Sequence, residues 1–182
     1  ISQTEIIALT LATSMNTFKN IVLSLSFFLL GFAIVYSCNC PIVKDLNKIQ
    51  EYEYENSECI FVGEVLSVNL DNHTFEIEVI ESFDETNSGT IYTGKYDPIC
   101  GPRVNEKGMW LIYGFFETNS ILMVNSCGLT RSFRKPEYCI SVPMKMTPAP
   151  EKDEYDVWKK EWNKNATEIL ATELQNLRKK KK

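Results

Sequence analysis

All six cysteines of this chain, at positions 38, 40, 59, 100, 127 and 139, follow a 14-residue run without a charge, Ile21 to Ile34. The run is shorter than the roughly 18–20 residues a membrane-spanning helix needs, and it has the length of a signal-peptide centre. Met15 to Asn20 in front of it, with Lys19, form a short and weakly positive start. Behind it, Val35-Tyr36-Ser37 gives signal peptidase a tolerable residue at −3 and a small one at −1, so the expected cut leaves Cys38 as the new N-terminus. Segment 15–37 is read as a signal peptide, and 1–14, which precede the first Met, as an upstream non-native extension. Two readings compete with this one. The first is an uncleaved membrane anchor; the second is a bacterial lipoprotein, since Val35-Tyr36-Ser37-Cys38 is an imperfect lipobox with a bulky Tyr36.

Export implies an oxidising compartment, where an even number of cysteines in a small chain favours disulfides over metal ligation. Six cysteines allow 15 pairings, and spacing does not choose among them. Zinc fits poorly: the sequence has no Cys-x-x-Cys, and Cys38-x-Cys40 is too tight for the usual knuckle. The one histidine, His73, excludes a multi-His metal site and leaves a single candidate base for any hydrolase triad. Nothing supplies nucleophile, base and oxyanion site together, so catalysis is not expected, and no cofactor is implied. A net charge of −5, deepening to −7 over residues 38–150, argues against nucleic acid as a partner.

The chain beyond the expected cut reads as mainly β. Cys59 to Val68 is β-rich, with Gly63 a bulge or a point of close approach. Asp71-Asn72 turns into His73 to Ile80, where Phe75, Ile77 and Val79 alternate with Glu76 and Glu78 as in a half-buried strand. Asn87-Ser88-Gly89 turns into a short strand over 90–93, and a loop through Tyr96 to Pro102 follows. Met109 to Phe116 is almost wholly apolar, the pattern of a core strand, and Thr118-Asn119-Ser120 turns it back into a strand over 121–124. Five strands at short spacing suggest a small barrel rather than parallel α/β units. Ile42, Leu46 and Ile49 sit near helical spacing, so a short helix across one barrel end is expected before Cys59. Residues 143–150, with Pro143, Pro148 and Pro150, form a linker. Residues 151–182 form a helix with Trp158, Trp162, Ala166, Ile169, Leu170, Leu174 and Leu177 on one face.

A Cys-x-Cys pair at the very start of an exported chain, followed by a barrel pattern and four more cysteines, resembles the tissue inhibitor of metalloproteinases family. The residues that carry the likeness are Cys38-Asn39-Cys40, Cys59 in Glu58 to Val65, Ile99-Cys100-Gly101, Trp110 to Tyr113, Asn125-Ser126-Cys127-Gly128, and Cys139. It spans residues 38 to about 140. The resemblance implies a five-stranded OB-type (netrin-like) barrel over 38–142, closed by three disulfides, Cys38–Cys100, Cys40–Cys127 and Cys59–Cys139. It also implies inhibition of zinc metalloendopeptidases by a free N-terminus. The amine nitrogen and carbonyl oxygen of Cys38 would chelate the protease's zinc. The side chain of Asn39 would enter the specificity pocket, with Cys40, Pro41, Ile99 and Cys100 flanking it as a wedge. Vertebrate-type members carry Thr or Ser where Asn39 stands. Pro41 comes one place early, and the C-terminal helix replaces a Cys-rich subdomain, so the chain reads as a divergent single-domain relative.

The other class of function on the same scaffold is a non-inhibitory netrin-like binding or adhesion module, lipid-anchored through Cys38 if the lipoprotein reading holds. Localisation is otherwise expected to be secreted. The basic end Arg178 to Lys182 suits the negative end of a helix dipole and offers a site for an anionic matrix glycan or lipid surface. Asn72-His73-Thr74 and Asn165-Ala166-Thr167 are glycosylation sequons. Trp158 and Trp162 are expected to pack between helix and barrel, and Glu51, Glu53, Glu55 and Glu58 to form a solvated acidic face.

Overall fold

The computed structural model describes residues 45–117, 120–137 and 155–180, all within one compact unit, Cys38–Lys182. The expected signal segment 15–37, the wedge residues Cys38, Asn39, Cys40 and Pro41, the linker 143–150 and Cys139 lie outside the described residues. Six strands follow one another in the order β1 (Cys59–Asn69), β2 (Thr74–Ser82), β3 (Ile91–Lys95), β4 (Gly108–Phe116), β5 (Leu122–Val124) and β6 (Arg131–Ser132). The helices are α1 (Leu46–Asn56) and α2 (Tyr155–Lys180). The sheet runs β1-β2-β3-β5-β4, and the pairing of β1 with β4 closes it into a five-stranded barrel. All of these pairings are antiparallel except β3–β5, which is parallel, so the barrel is mixed.

Closure depends on β1 serving two neighbours at once. Register shifts at Val62/Gly63 and Val65/Ser67 curl the strand, so that Phe61 to Val65 pair with both β2 and β4. Bulges supply the bend that a small barrel needs. Gly63 is required there: a Cβ would stand 2.7 Å from Ile77 Cγ1 and 2.8 Å from the Glu78 carbonyl oxygen. The expected point of close approach is therefore real, and its cause is the neighbouring strand rather than a turn.

Alternation along the strands sorts two apolar clusters. Phe61, Val65, Phe75, Ile77, Val79, Trp110 and Ile112 point into the barrel. Ile60, Val62, Leu111 and Tyr113 point outward and are covered by Ile49 of α1 and by Leu170, Leu174 and Leu177 of α2. Both faces of β4 are thus buried, which is why its sequence is a continuous apolar run rather than an alternating one. Each large apolar side chain so buried contributes roughly 1.5–3 kcal/mol before the entropy of ordering it is counted.

Local signals fix the helix positions. Asp45 caps α1 by accepting from the Asn47 amide at 3.1 Å, and the Ser57 amide closes its other end on the Glu53 carbonyl at 3.0 Å. In α2, Asp156 lies in the first turn and Arg178, Lys179 and Lys180 in the last, matching the dipole at both ends. Ala166, Leu170, Leu174 and Leu177 are buried as the stripe requires. Trp158 and Trp162 are half-buried and stack on each other at 5.0 Å between ring centroids. Among the described residues no helix is long and apolar enough to cross a membrane.

One expectation is corrected and one short strand is added. Glu53 does not belong to a solvated acidic face: it lies four residues after the buried Ile49, on the same side of α1, and is itself buried. The strand β6 has no periodicity to announce it, since two residues are too few, and it forms only by pairing Arg131 and Ser132 with Leu111 and Trp110.

Candidate functional site

The loop after β3 and the turn after β5 meet at one end of the barrel. Asp97 shapes the first: its Oδ1 accepts from the amides of Ile99 (2.8 Å) and Cys100 (3.1 Å), an Asx turn that leaves Ile99 61% exposed. The second holds Cys127 in the left-handed region at φ +59°, a conformation that costs an L-residue roughly 1–2 kcal/mol. The two loops are joined where the Cys127 amide donates to the Cys100 carbonyl at 2.9 Å. Gly101 packs against the same turn, with its Cβ position 3.7 Å from the Ser126 Cα. Cys100 and Cys127 are each disulfide-bonded and stand side by side.

The turn is gripped from behind by α1. Asn125 Nδ2 donates to Glu53 Oε2 (3.1 Å) and to Ser57 Oγ (2.8 Å), while the Asn125 amide donates to the Tyr113 carbonyl at 3.0 Å. Gly128 lies so close to Glu53 that a Cβ would come within 2.8 Å of Oε2. Burial pushes the Glu53 carboxyl above its ordinary range. Hydrogen bonds from Asn125 and the Leu129 backbone oppose that shift, and the nearby Glu173 charge adds to it.

A second carboxylate secures α2 against the barrel wall. Glu173 accepts from Tyr113 Oη at 2.6 Å and from Gln50 Nε2 at 3.0 Å, and it pairs with the Arg131 guanidinium; both members of that ion pair are 1% exposed. Burial and the Glu173 charge hold the Tyr113 hydroxyl well above its usual range, so it stays a donor. Thr130 completes the arrangement: its Oγ1 accepts from the Tyr113 amide at 2.8 Å and lies 3.2 Å from the Tyr113 carbonyl. Gln50 of α1, Tyr113 of β4, Arg131 of β6 and Glu173 of α2 therefore share one buried polar centre behind the cysteine turn.

Of the residues expected at the wedge, the structure brings Ile99 and Cys100 together beside Cys127. Cys38, Asn39, Cys40 and Pro41 lie outside the described residues. Cys59 departs from expectation. It carries a free thiol inside the barrel rather than a link to Cys139, which lies outside the described residues. The reason is its place in β1: it is fully buried and faces the core, with Sγ 3.4 Å from the Cβ position of Gly114. Burial and the charges of Asp84 and Glu58 push this thiol far above the usual range.

The sequence placed Glu53 on a solvated acidic face and Asn125 only in a family-like stretch, and gave Arg131 and Glu173 no role, yet Glu53 and Glu173 left a trace. Glu173 sits three after Leu170 and four before Leu177, inside the apolar stripe of α2, and Glu53 sits four after Ile49. A charge at a core position of a helix signals a buried partner. Arg131 left no such trace.

Ile99 and Trp110 both line a cleft of about 360 Å³. The basic C-terminus is partly engaged within the molecule: Arg178 grips Glu81 through two bonds of 2.7 and 2.8 Å, and Lys180 lies over the Tyr54 ring. His73 makes the tight turn before β2 at φ +54° and contacts the Tyr96 ring. Asn72 and Asn165 are exposed. No protein-family model matches this chain, and no curated protein matches it.

Proposed function

We propose that the exported chain is an inhibitor of zinc metalloendopeptidases, acting through its N-terminus on the protease's metal. The observation that carries this reading is the 2.9 Å bond that sets two disulfide-bonded cysteines, Cys100 and Cys127, side by side next to the exposed Ile99. Alternate residues of an extended segment lie roughly 6.6–6.8 Å apart, a spacing that two adjacent cysteines can accept. Cys38–Cys100 and Cys40–Cys127 bonds would staple the mature N-terminus along this edge. In the chain-entropy account each bond stabilises by roughly 3–4.5 kcal/mol, and together they order a terminus that would otherwise fray. The five-stranded closed barrel with a parallel β3–β5 pair supports the OB-type architecture that goes with such a terminus.

The chemistry then follows from the free amine. Its ordinary pKa of about 8 leaves part of it neutral at physiological pH, and a metal favours that form. Nitrogen and carbonyl oxygen of Cys38 close a five-membered chelate on the open position of a catalytic zinc. Asn39 enters the specificity pocket; Cys40, Pro41, Ile99 and Cys100 form the wedge around it. Ordering the terminus beforehand lowers the entropy lost on docking. The inhibitor carries no metal of its own.

The test is a panel of zinc endopeptidases assayed with the purified mature protein before and after carbamylation of its N-terminus. Inhibition that disappears with the free amine is the expected result, and inhibition that survives complete carbamylation refutes chelation. Intact mass decides the alternative, a non-inhibitory binding module anchored through an acylated Cys38: acylation at that nitrogen leaves no chelating group.

A further inference from the structure

The cleft beside Ile99 is set apart by its charge. Residues 38–150 carry nine Lys and Arg in a segment of net charge −7. Four of those nine, Arg103, Lys107, Arg134 and Lys135, fall in the segments that frame this one hollow. Arg103 and Lys135 line it, while Arg134 reaches to within 3.9 Å of the Cβ position of Gly108, at the start of β4. Arg103, Lys107 and Arg134 are exposed, and none forms an ion pair among the described residues.

Among the described residues, the one acid lining the hollow is already occupied. Glu106 accepts from Lys135 Nζ at 2.8 Å and from Ser132 Oγ at 2.8 Å. Although burial raises its carboxyl, those bonds and the charges of Lys135 and Arg134 hold it below its ordinary range. The rest of the lining mixes the polar Asn105 and Ser132 with apolar groups. The apolar part is Trp110, its indole N–H committed to the Glu106 carbonyl at 3.0 Å, with Ile99 and Pro102.

We infer that this cleft is a docking site for an acidic segment of the partner protein, one that alternates carboxylate and apolar side chains. The cations meet the carboxylates, and the exposed Ile99, with Trp110 and Pro102 beside it, receives the apolar groups between them. A sulfated glycan satisfies the cations but has no apolar group for Ile99, Pro102 and Trp110, so a peptide is the better match. Ile99 belongs both to the proposed wedge and to this cleft, so a protease seated on one covers the other. In that form the inference rests on the inhibitor reading, and it adds where the target's specificity is read outside the zinc site.

The probe is a fluorescein-labelled peptide of alternating glutamate and phenylalanine, titrated into the mature protein and followed by anisotropy. Saturable binding that weakens with salt is expected. The Arg103→Glu/Arg134→Glu variant, altered only at exposed positions and checked for folding by circular dichroism, should bind about tenfold more weakly or worse. The same peptide with lysine in place of glutamate should not bind. Equal binding by the variant, or binding of a heparin oligosaccharide with none of the peptide, overturns the inference. Inhibition constants separate the two proposals. Undiminished inhibition by the charge-reversed variant removes the cleft from protease docking while chelation stands. Peptide binding by a protein that inhibits no metalloendopeptidase keeps the acidic-segment site and removes the protease as its owner.

Discussion

Tyr113 of β4 donates its hydroxyl to Glu173 of α2 at 2.6 Å across 60 residues of sequence, deep beneath the turn that holds Cys127. The same carboxylate neutralises Arg131 through one Nη, so one side chain serves a buried phenol, a buried guanidinium and Gln50, although Arg131 Nε donates no hydrogen bond among the described residues. The end of the barrel that carries Cys100 and Cys127 is therefore braced by α2, a helix far away in sequence.

Removing Glu173 should be the most damaging single change in this region. Glu173→Ala leaves the Arg131 charge buried without its partner, which costs about 3–5 kcal/mol. Tyr113→Phe removes one bond to a charged acceptor and costs about 1.5–3 kcal/mol. Urea denaturation of the mature protein measures both, and equal costs for the two variants would contradict this ordering.

Glu53 works against stability at neutral pH. Its folded pKa lies above the ordinary 4.5, so between those values the folded protein holds more protons than the unfolded chain. Its contribution is therefore fully present below about pH 4.5 and is lost as pH rises through the folded value. Glu53→Gln keeps an oxygen for Asn125 and removes the buried charge. Denaturation midpoints measured from pH 4.5 to pH 8 should show the variant gaining on the parent as pH rises. A parallel pair of curves would show that Glu53 does not titrate in this way.

Gly63→Ala tests barrel closure. The added methyl meets Ile77 Cγ1 at 2.7 Å and the Glu78 carbonyl at 2.8 Å, and the backbone oxygen cannot turn aside as a side chain can. A loss of about 1–3 kcal/mol is expected from overpacking. Gly101→Ala is the comparison, because its nearest neighbour would be 3.6 Å away, an ordinary contact.

Cys59 should behave as an inert thiol. It is fully buried, and burial together with the charges of Asp84 and Glu58 disfavours the thiolate, which is the reactive form. Alkylation of the folded, non-reduced protein should leave it unlabelled, and alkylation in guanidinium should label it. Labelling in the folded state would mean that β1 opens at its first residue.

Much of the barrel was legible because strands announce themselves locally. Phe75, Ile77 and Val79 alternate with Glu76 and Glu78, so one buried face was evident, and Met109 to Phe116 had to be buried on both faces. Asn87-Ser88-Gly89 marked its turn because Gly89 takes a φ of +82° that other residues resist. Glu53 and Glu173 were harder to place. Each breaks an apolar stripe, and a broken stripe does not say which partner compensates for the charge.

The sequence by itself determined where the five barrel strands and the two helices run, because side-chain periodicity acts between residues a few positions apart. It also placed Ile99 and Cys100 in a loop that Asp97 could shape. Only the tertiary structure decided that this loop meets Cys127, that Cys59 faces inward, and that Arg131 finds Glu173. Those outcomes depend on β1 bending round to pair with β4 and on β3 lying parallel to β5, and such long-range pairings leave no local period to read.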